Sequence, residues 1–156
     1  MTPVFIHGLE SSSRGTKGTW FKERFPGMLI CDFIGSFEER MVQLKCFLAG
    51  RANLVLVGSS FGGLMASVYA IEYGSEVARV VLLAPALNFP EFDRFRSGST
   101  SVPTHLYIGD RDAICPADLV IPAAQEVFTD LVVNRVDDDH LLHATFRRID
   151  WNSMLR

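Results

Sequence analysis

Ser60 lies in Gly58-Ser59-Ser60-Phe61-Gly62, between the apolar run Leu54-Val55-Leu56-Val57 and a long apolar stretch that begins at Phe61. A serine hydroxyl is a weak nucleophile at neutral pH and attacks a carbonyl only beside a base that takes its proton. Small flanking residues let a chain turn sharply from strand to helix and lift such a hydroxyl out of the sheet, where the helix N-terminus favours developing negative charge. The five-residue pattern is weak alone, and the strand before it and helix after it make it specific. A phosphate-binding turn is the competing use of such a segment, but neither GxxxxGK[ST] nor GxGxxG is present. Ser59, one residue out of register, is expected to point away from the site.

The base must come from four histidines, His7, His105, His140 and His143. His105 sits inside an apolar run and reads as a sheet residue. His140 follows the last apolar run directly, at the carboxyl edge where parallel sheets carry their sites, and is the first choice, with His143 as the alternative. A third group must hold the imidazole in one tautomer and stabilise its cation. Asp112, between Gly109 and Pro116, is the first choice, and Asp110, closer to the strand end, the alternative. Asp137, Asp138 and Asp139 are also suited to cap a helix. Metal readings fail on spacing: there is no HExxH, and His140 and His143 have no obvious third ligand. Cys31, Cys46 and Cys115 are an odd set without CxxC spacing, so they build neither a disulfide framework nor a Cys-rich zinc site.

The elements that must carry these groups are legible as alternation. Val4–Ile6, Met28–Cys31, Leu54–Val57, Arg79–Leu83, His105–Ile108 and Leu131–Val133 are short apolar runs without polar alternation, the pattern of parallel strands covered on both faces. Helical stretches separate them over Lys17–Phe25, Ser36–Leu48, Phe61–Tyr73, Pro116–Phe128 and Leu141–Ile149. Ser36 with Glu39 gives a capping-box-like start, and Phe37, Met41, Leu44 and Leu48 form one apolar stripe. Alternating β and α segments predict a mostly parallel α/β sheet. Phe89 to Ser101 is irregular, either a surface loop or the rim of a substrate site.

With 156 residues, 48% of them hydrophobic and 21% charged, the chain has enough apolar surface to fold and is not a disordered segment. Lys and Arg number 15 against 18 Asp and Glu, so the basic excess of a nucleic-acid binder is missing. The longest apolar run, Val77–Leu87, holds Arg79 and falls far short of the ~20 residues that cross a bilayer. Free thiols and an N-terminus without a signal-peptide pattern point to the cytoplasm, with neither nucleic acid nor membrane as partner.

The Ser60 segment resembles the nucleophile elbow of the α/β-hydrolase superfamily. His7-Gly8-Leu9 is similar to its oxyanion motif. Gly109-Asp110-Arg111-Asp112-Ala113-Ile114-Cys115-Pro116 resembles its acid loop, with Cys115 where valine is usual, and Asp139-His140 resembles its histidine loop. The chain order Ser, Asp, His is also that of the superfamily. The resemblance implies Ser60 as nucleophile, His140 as base and Asp112 as its orienting acid. It further implies an oxyanion hole from the backbone N–H groups of Leu9 and Phe61, with His7 shaping that loop. Some members carry the acid after the preceding strand, which would point to Glu91 or Asp93, both remote from Pro85.

The activity implied is that of a serine hydrolase cleaving a small-molecule carboxylic ester or thioester through an acyl-enzyme, without a cofactor. A peptidase or amidase uses the same triad. The alternative of another class is a non-catalytic ligand-binding or interaction module on a hydrolase fold. The chain departs from larger members in two places. Its first strand, near Pro3 to Ile6, is already the one before the oxyanion loop, and only about 17 residues, Leu87 to Pro103, separate the fourth and fifth strands, where larger members insert a cap. The expectation is a single α/β-hydrolase domain over residues 1–156, a minimal form with about six mostly parallel strands, helices on both faces, no cap and an open site. Phe89, Phe92 and Phe95 recur at three-residue spacing, either as a ridge contacting an acyl group or as local packing.

Overall fold

Residues with branched or long apolar side chains line up where a strand is covered on both faces, and Leu54, Val55, Leu56 and Val57 are accordingly all fully buried. In the computed structural model, which describes residues 1–156, they belong to a sheet of six parallel strands. These are β1 (Thr2–Ile6), β2 (Leu29–Ile30), β3 (Leu54–Ser59), β4 (Val77–Leu83), β5 (Thr104–Gly109) and β6 (Leu131–Val136). Their order across the sheet is β2-β1-β3-β4-β5-β6. The edge strand β2 pairs only with Val4 and Phe5, so Pro3, which has no N–H to donate, lies outside its reach.

The helices are α1 (Thr16–Arg24), α2 (Phe37–Leu48), α3 (Phe61–Glu72), α4 (Ala117–Val127), and two single turns, α5 (His143–Phe146) and α6 (Trp151–Met154). Right-handed crossovers put α2, α3 and α4 on one face, because the chain advances in one direction across the sheet through all three, and α1 on the other, because β1 to β2 steps backwards. The two C-terminal turns join α1: Trp151 meets Phe21 with ring centroids 4.8 Å apart, and Phe146 meets Trp20 at 5.3 Å. At the start of α2, Ser36 Oγ accepts from the Glu39 N–H and the Glu39 carboxylate accepts from the Ser36 N–H, a complete capping box. Its stripe Phe37, Met41, Leu44 and Leu48 is buried in the core, where each such side chain contributes roughly 1.5–3 kcal/mol.

One expectation needs correction. The helix expected over Leu141–Ile149 is only the four residues His143–Phe146. Leu142 before it takes a left-handed conformation (φ 51°), and the chain turns again at Asp150 to start α6, so that Phe146 and Trp151 can both reach α1. Within the irregular stretch, Pro90–Phe95 is a 3₁₀ helix. Ser99–Val102 lie against Gly74 and Thr129 in a separate depression, just before β5 begins, and not on the rim of the site described next.

Candidate active site

Only Ser60 separates β3 from α3, and it takes φ 54° and ψ −116°, a backbone conformation that costs a non-glycine residue of order 1–3 kcal/mol. The surroundings hold it there. The Ser60 N–H donates to the Leu83 carbonyl at 2.9 Å, and the Ser60 carbonyl accepts from the N–H groups of Gly63, Leu64 and Ala86. Close approach explains the glycines: a Cβ on Gly62 would overlap the Ile6 carbonyl, and one on Gly63 would lie 2.7 Å from Pro85 Cβ. The N-terminus of α3 is thereby wedged between the ends of β1 and β4.

Ser60 Oγ lies 2.9 Å from His140 Nε2, and His140 Nδ1 lies 2.8 Å from Asp112 Oδ2. Asp112 Oδ1 accepts from the backbone N–H groups of Ile114 (2.9 Å) and Cys115 (2.7 Å), and its side chain is wholly buried. A carboxylate at Nδ1 places the ring proton there and leaves Nε2 as an acceptor for the Ser60 hydroxyl. The three side chains come from loops after β3, β5 and β6, all at the carboxyl edge of the sheet. Asp110 instead pairs with Arg135 at 2.8 Å, half exposed. His143 belongs to α5 and makes no hydrogen bond to Ser60, and Glu91 and Asp93 lie on the 3₁₀ helix.

His7 follows β1 and is 1% exposed. Its Nε2 accepts from the Phe33 N–H at 2.9 Å, so Nδ1 carries the proton and donates to the Gly8 carbonyl at 2.7 Å. Burial holds this imidazole below its usual range although the Gly8 carbonyl favours the cation. Leu9, two residues after His7, has a backbone N–H with no protein acceptor, and Phe61, as the first residue of α3, has no intrahelical acceptor for its own.

A cavity of about 510 Å³ opens over Ser60. Its apolar lining includes Leu9, Phe61, Phe89 and Ile114, and its polar lining Glu10, Ser11, Thr16, Lys17 and His143. Leu9, Ile114 and Leu141 are each about half exposed at its mouth. Of the three phenylalanines at three-residue spacing, only Phe89 faces the cavity. Phe92 is fully buried and Phe95 packs edge-on to Phe37, because on a 3₁₀ helix residues three apart share a face and that face is turned to the core. Ser59, expected to point away, also lines the cavity.

The sequence offered no sign of Lys17. Its ammonium donates to the Leu141 carbonyl, next to His140, and lies 5.3 Å from the centroid of the Phe146 ring. Burial lowers its pKa to about 8, although Asp138 and Asp139 oppose the shift. Asp138 steadies the same loop: it accepts from the Asp139 N–H and from both the N–H and hydroxyl of Thr145, and these bonds lower its pKa against the effect of burial. Asp112, Cys115 and His140 offer donor atoms within 4.8 Å of one another. They do not form a ready ligand set, because Asp112 and His140 are committed to each other and to their neighbours, and burial pushes the Cys115 thiol up to about 12.

The model of a family described as the alpha/beta hydrolase fold matches residues 32–100. A YdeN-like protein from Pectobacterium atrosepticum superposes with a TM-score of 0.76 at 23% identity, over 97% of this chain and 85% of that one. A monoacylglycerol lipase from Paleococcus ferrophilus gives 0.77 at 17% identity, over 97% and 93%. The chain has the α/β hydrolase fold. Another protein of this fold, an esterase from Exiguobacterium antarcticum, gives 0.78 at 14% identity, over 99% and 90%. No curated protein sequence matches significantly. In this α/β hydrolase fold no cap stands between β4 and β5: the connection holds only the 3₁₀ helix Pro90–Phe95. None of its helices is long and apolar enough to cross a membrane.

Proposed function

We propose that the chain is a serine hydrolase that cleaves a small-molecule carboxylic ester or thioester through an acyl-enzyme. The observation that carries this reading is the unbroken hydrogen-bond chain from Ser60 Oγ through His140 to the buried Asp112, at 2.9 and 2.8 Å. Relatives in fold that are described as an esterase and a monoacylglycerol lipase support ester hydrolysis.

Ser60 Oγ attacks the carbonyl carbon while His140 Nε2 takes the hydroxyl proton, and Asp112 stabilises the imidazolium that forms. The carbonyl oxygen becomes an oxyanion that accepts from the N–H groups of Leu9 and Phe61, each such donor contributing about 3 kcal/mol. Collapse breaks the bond to the alkoxide or thiolate, which leaves with the proton from His140. Water then gives its proton to His140 and its oxygen to the acyl carbon, and Ser60 departs with that proton returned. The apolar lining residues Leu9, Phe61, Phe89 and Ile114 suit an acyl chain.

A fluorophosphonate tests the proposal. It should modify Ser60 in the folded protein, and Ser60→Ala should lose both labelling and turnover of p-nitrophenyl esters by 10⁴-fold or more (roughly, the usual loss on removing a triad member). An unlabelled wild-type chain, or an active Ser60→Ala, would exclude this chemistry.

A further inference from the structure

Arg40 is the only lysine or arginine among the buried residues, and it pairs with no carboxylate. Its Nε donates to the Gly35 carbonyl at 2.9 Å, where the chain enters α2, and Nη2 donates to the Leu9 carbonyl at 3.3 Å. Nη1 is buried with no hydrogen-bond partner at all. The guanidinium also lies over the Phe61 ring, 5.6 Å from its centroid. A buried cation without a counter-ion, and with an orphaned donor, is costly, which raises the question of what it does here. Besides Gly35, the guanidinium touches Leu9 and Phe61. Those are the two whose backbone N–H groups stand ready for an oxyanion, and its charge also acts on His7, in the same loop as Leu9.

We propose that Arg40 is a positioning residue of the oxyanion site, fixing Leu9 through its carbonyl and placing an unneutralised positive charge behind the two N–H donors. This inference rests on the serine-hydrolase reading above. The hydrogen bond to the Leu9 carbonyl restrains the peptide after Leu9 and, through it, the direction of the Leu9 N–H. Because no protein anion cancels the guanidinium, its field is felt by charge that appears only when the carbonyl oxygen becomes negative. The interaction therefore favours the tetrahedral state over the neutral ester, and its removal lowers kcat with little change in KM. The carbonyls it would leave behind, on Gly35 and Leu9, belong to exposed residues and can turn to water.

The test compares wild type with Arg40→Met, which keeps the bulk and removes the charge, and Arg40→Lys, which keeps the charge and loses the fork. On a p-nitrophenyl ester, Arg40→Met is expected to lower kcat about 10- to 100-fold with KM within about threefold. Its affinity for an alkyl boronic acid, which forms an anionic tetrahedral adduct with the serine, should weaken by the same factor. Its Tm should equal or exceed that of wild type, since a costly buried charge is gone. Arg40→Lys should recover part of the kcat. Wild-type kcat in Arg40→Met overturns the proposal, and so does a lowered kcat with unchanged boronate affinity. Should Arg40→Met fail to fold, Arg40→Lys decides: a reduced kcat at wild-type Tm supports the role, and wild-type kcat or a matching fall in Tm overturns it. A wild-type chain that is neither labelled at Ser60 nor active on esters overturns the hydrolase reading, and the role of Arg40 with it. If the wild type is labelled and active, a negative result concerns Arg40 alone.

Discussion

Each oxygen of Asp112 has a different partner, and this makes its amide variant informative. Oδ1 receives two backbone N–H groups, from Ile114 and Cys115, and Oδ2 receives His140 Nδ1. In Asp112→Asn the carbonyl oxygen must stay with the two N–H donors, so the amide NH₂ is forced toward His140. It can donate only to an unprotonated Nδ1, which moves the ring proton to Nε2 and removes the acceptor for the Ser60 hydroxyl. Turnover should fall by up to ~10⁴-fold with little change in Tm. Asp110→Asn, which loses only a half-exposed pair with Arg135, should leave kcat unchanged and cost at most about 1 kcal/mol. Steady-state kinetics and melting curves on the two variants separate the assignments, and a more damaging Asp110→Asn would reverse them. Lys17 gives a pH signature. Its folded pKa of about 8 lies below the ordinary 10.5, so between these values the unfolded chain holds a proton that the folded chain has released. The destabilising effect of the buried charge is complete below pH 8 and is relieved as pH rises to 10.5. Cys31, raised to about 11 by burial, acts in the opposite sense, so the quantity to measure is the difference between wild type and Lys17→Met in urea unfolding. That difference should shift in favour of wild type across the window, and a flat difference would show that Lys17 keeps its ordinary pKa.

At the scale of elements, the meeting of β1 and α3 depends on one missing methyl group. A Cβ at Gly62 would overlap the Ile6 carbonyl, which is backbone and cannot rotate away. Gly62→Ala should therefore push α3 off β1, destabilise by about 1–3 kcal/mol in denaturant unfolding, and reduce turnover as well. Retention of both would mean that the junction is slack. This contact was legible only as a small residue in a motif, since the sequence does not say what a glycine is pressed against. What the chain did declare was local: uninterrupted apolar runs for strands buried on both faces, the Phe37 to Leu48 stripe, and the Ser36–Glu39 cap. Ser60, Asp112 and His140 were nominated from their places after such runs, and the fold brings their side chains within hydrogen-bond distance of one another. The end of the chain was misread because its shape is set from afar. Leu142 turns left-handed, and Phe146 and Trp151 pack on aromatic residues of α1 more than 120 positions earlier. Lys17 and Leu141 meet across 124 positions, and no local pattern announces that contact. Phe92 failed as a cavity residue for a simpler reason: equal spacing fixes which residues share a face, and not whether that face looks inward or outward.

For the molecule as a whole, strand order decides where chemistry can occur. The chain reverses the direction in which it winds across the sheet between β1 and β3, and the loops leaving their carboxyl ends carry Leu9 and Ser60, while Asp112 and His140 arrive from the far side after β5 and β6. Four of the six strands, including the edge strand β6, thus lead into the loops that carry Leu9, Ser60, Asp112 and His140, and β4 adds Phe89 to the site. Nothing closes over it. The connection from β4 to β5 supplies Phe89 to the wall and then a 3₁₀ helix, and Leu9, Ile114 and Leu141 lie about half exposed at the cavity mouth. Enzymes that open a lid at an oil–water boundary jump in rate when their substrate passes from single molecules to droplets or micelles. A serine without a cap over it should show no such threshold. With a short-chain triglyceride such as tributyrin, hydrolysis by this chain should rise smoothly through the solubility limit and then level off. Added glycerol or sucrose should slow it no more than it slows a diffusional encounter, because no hinge has to swing before each turnover.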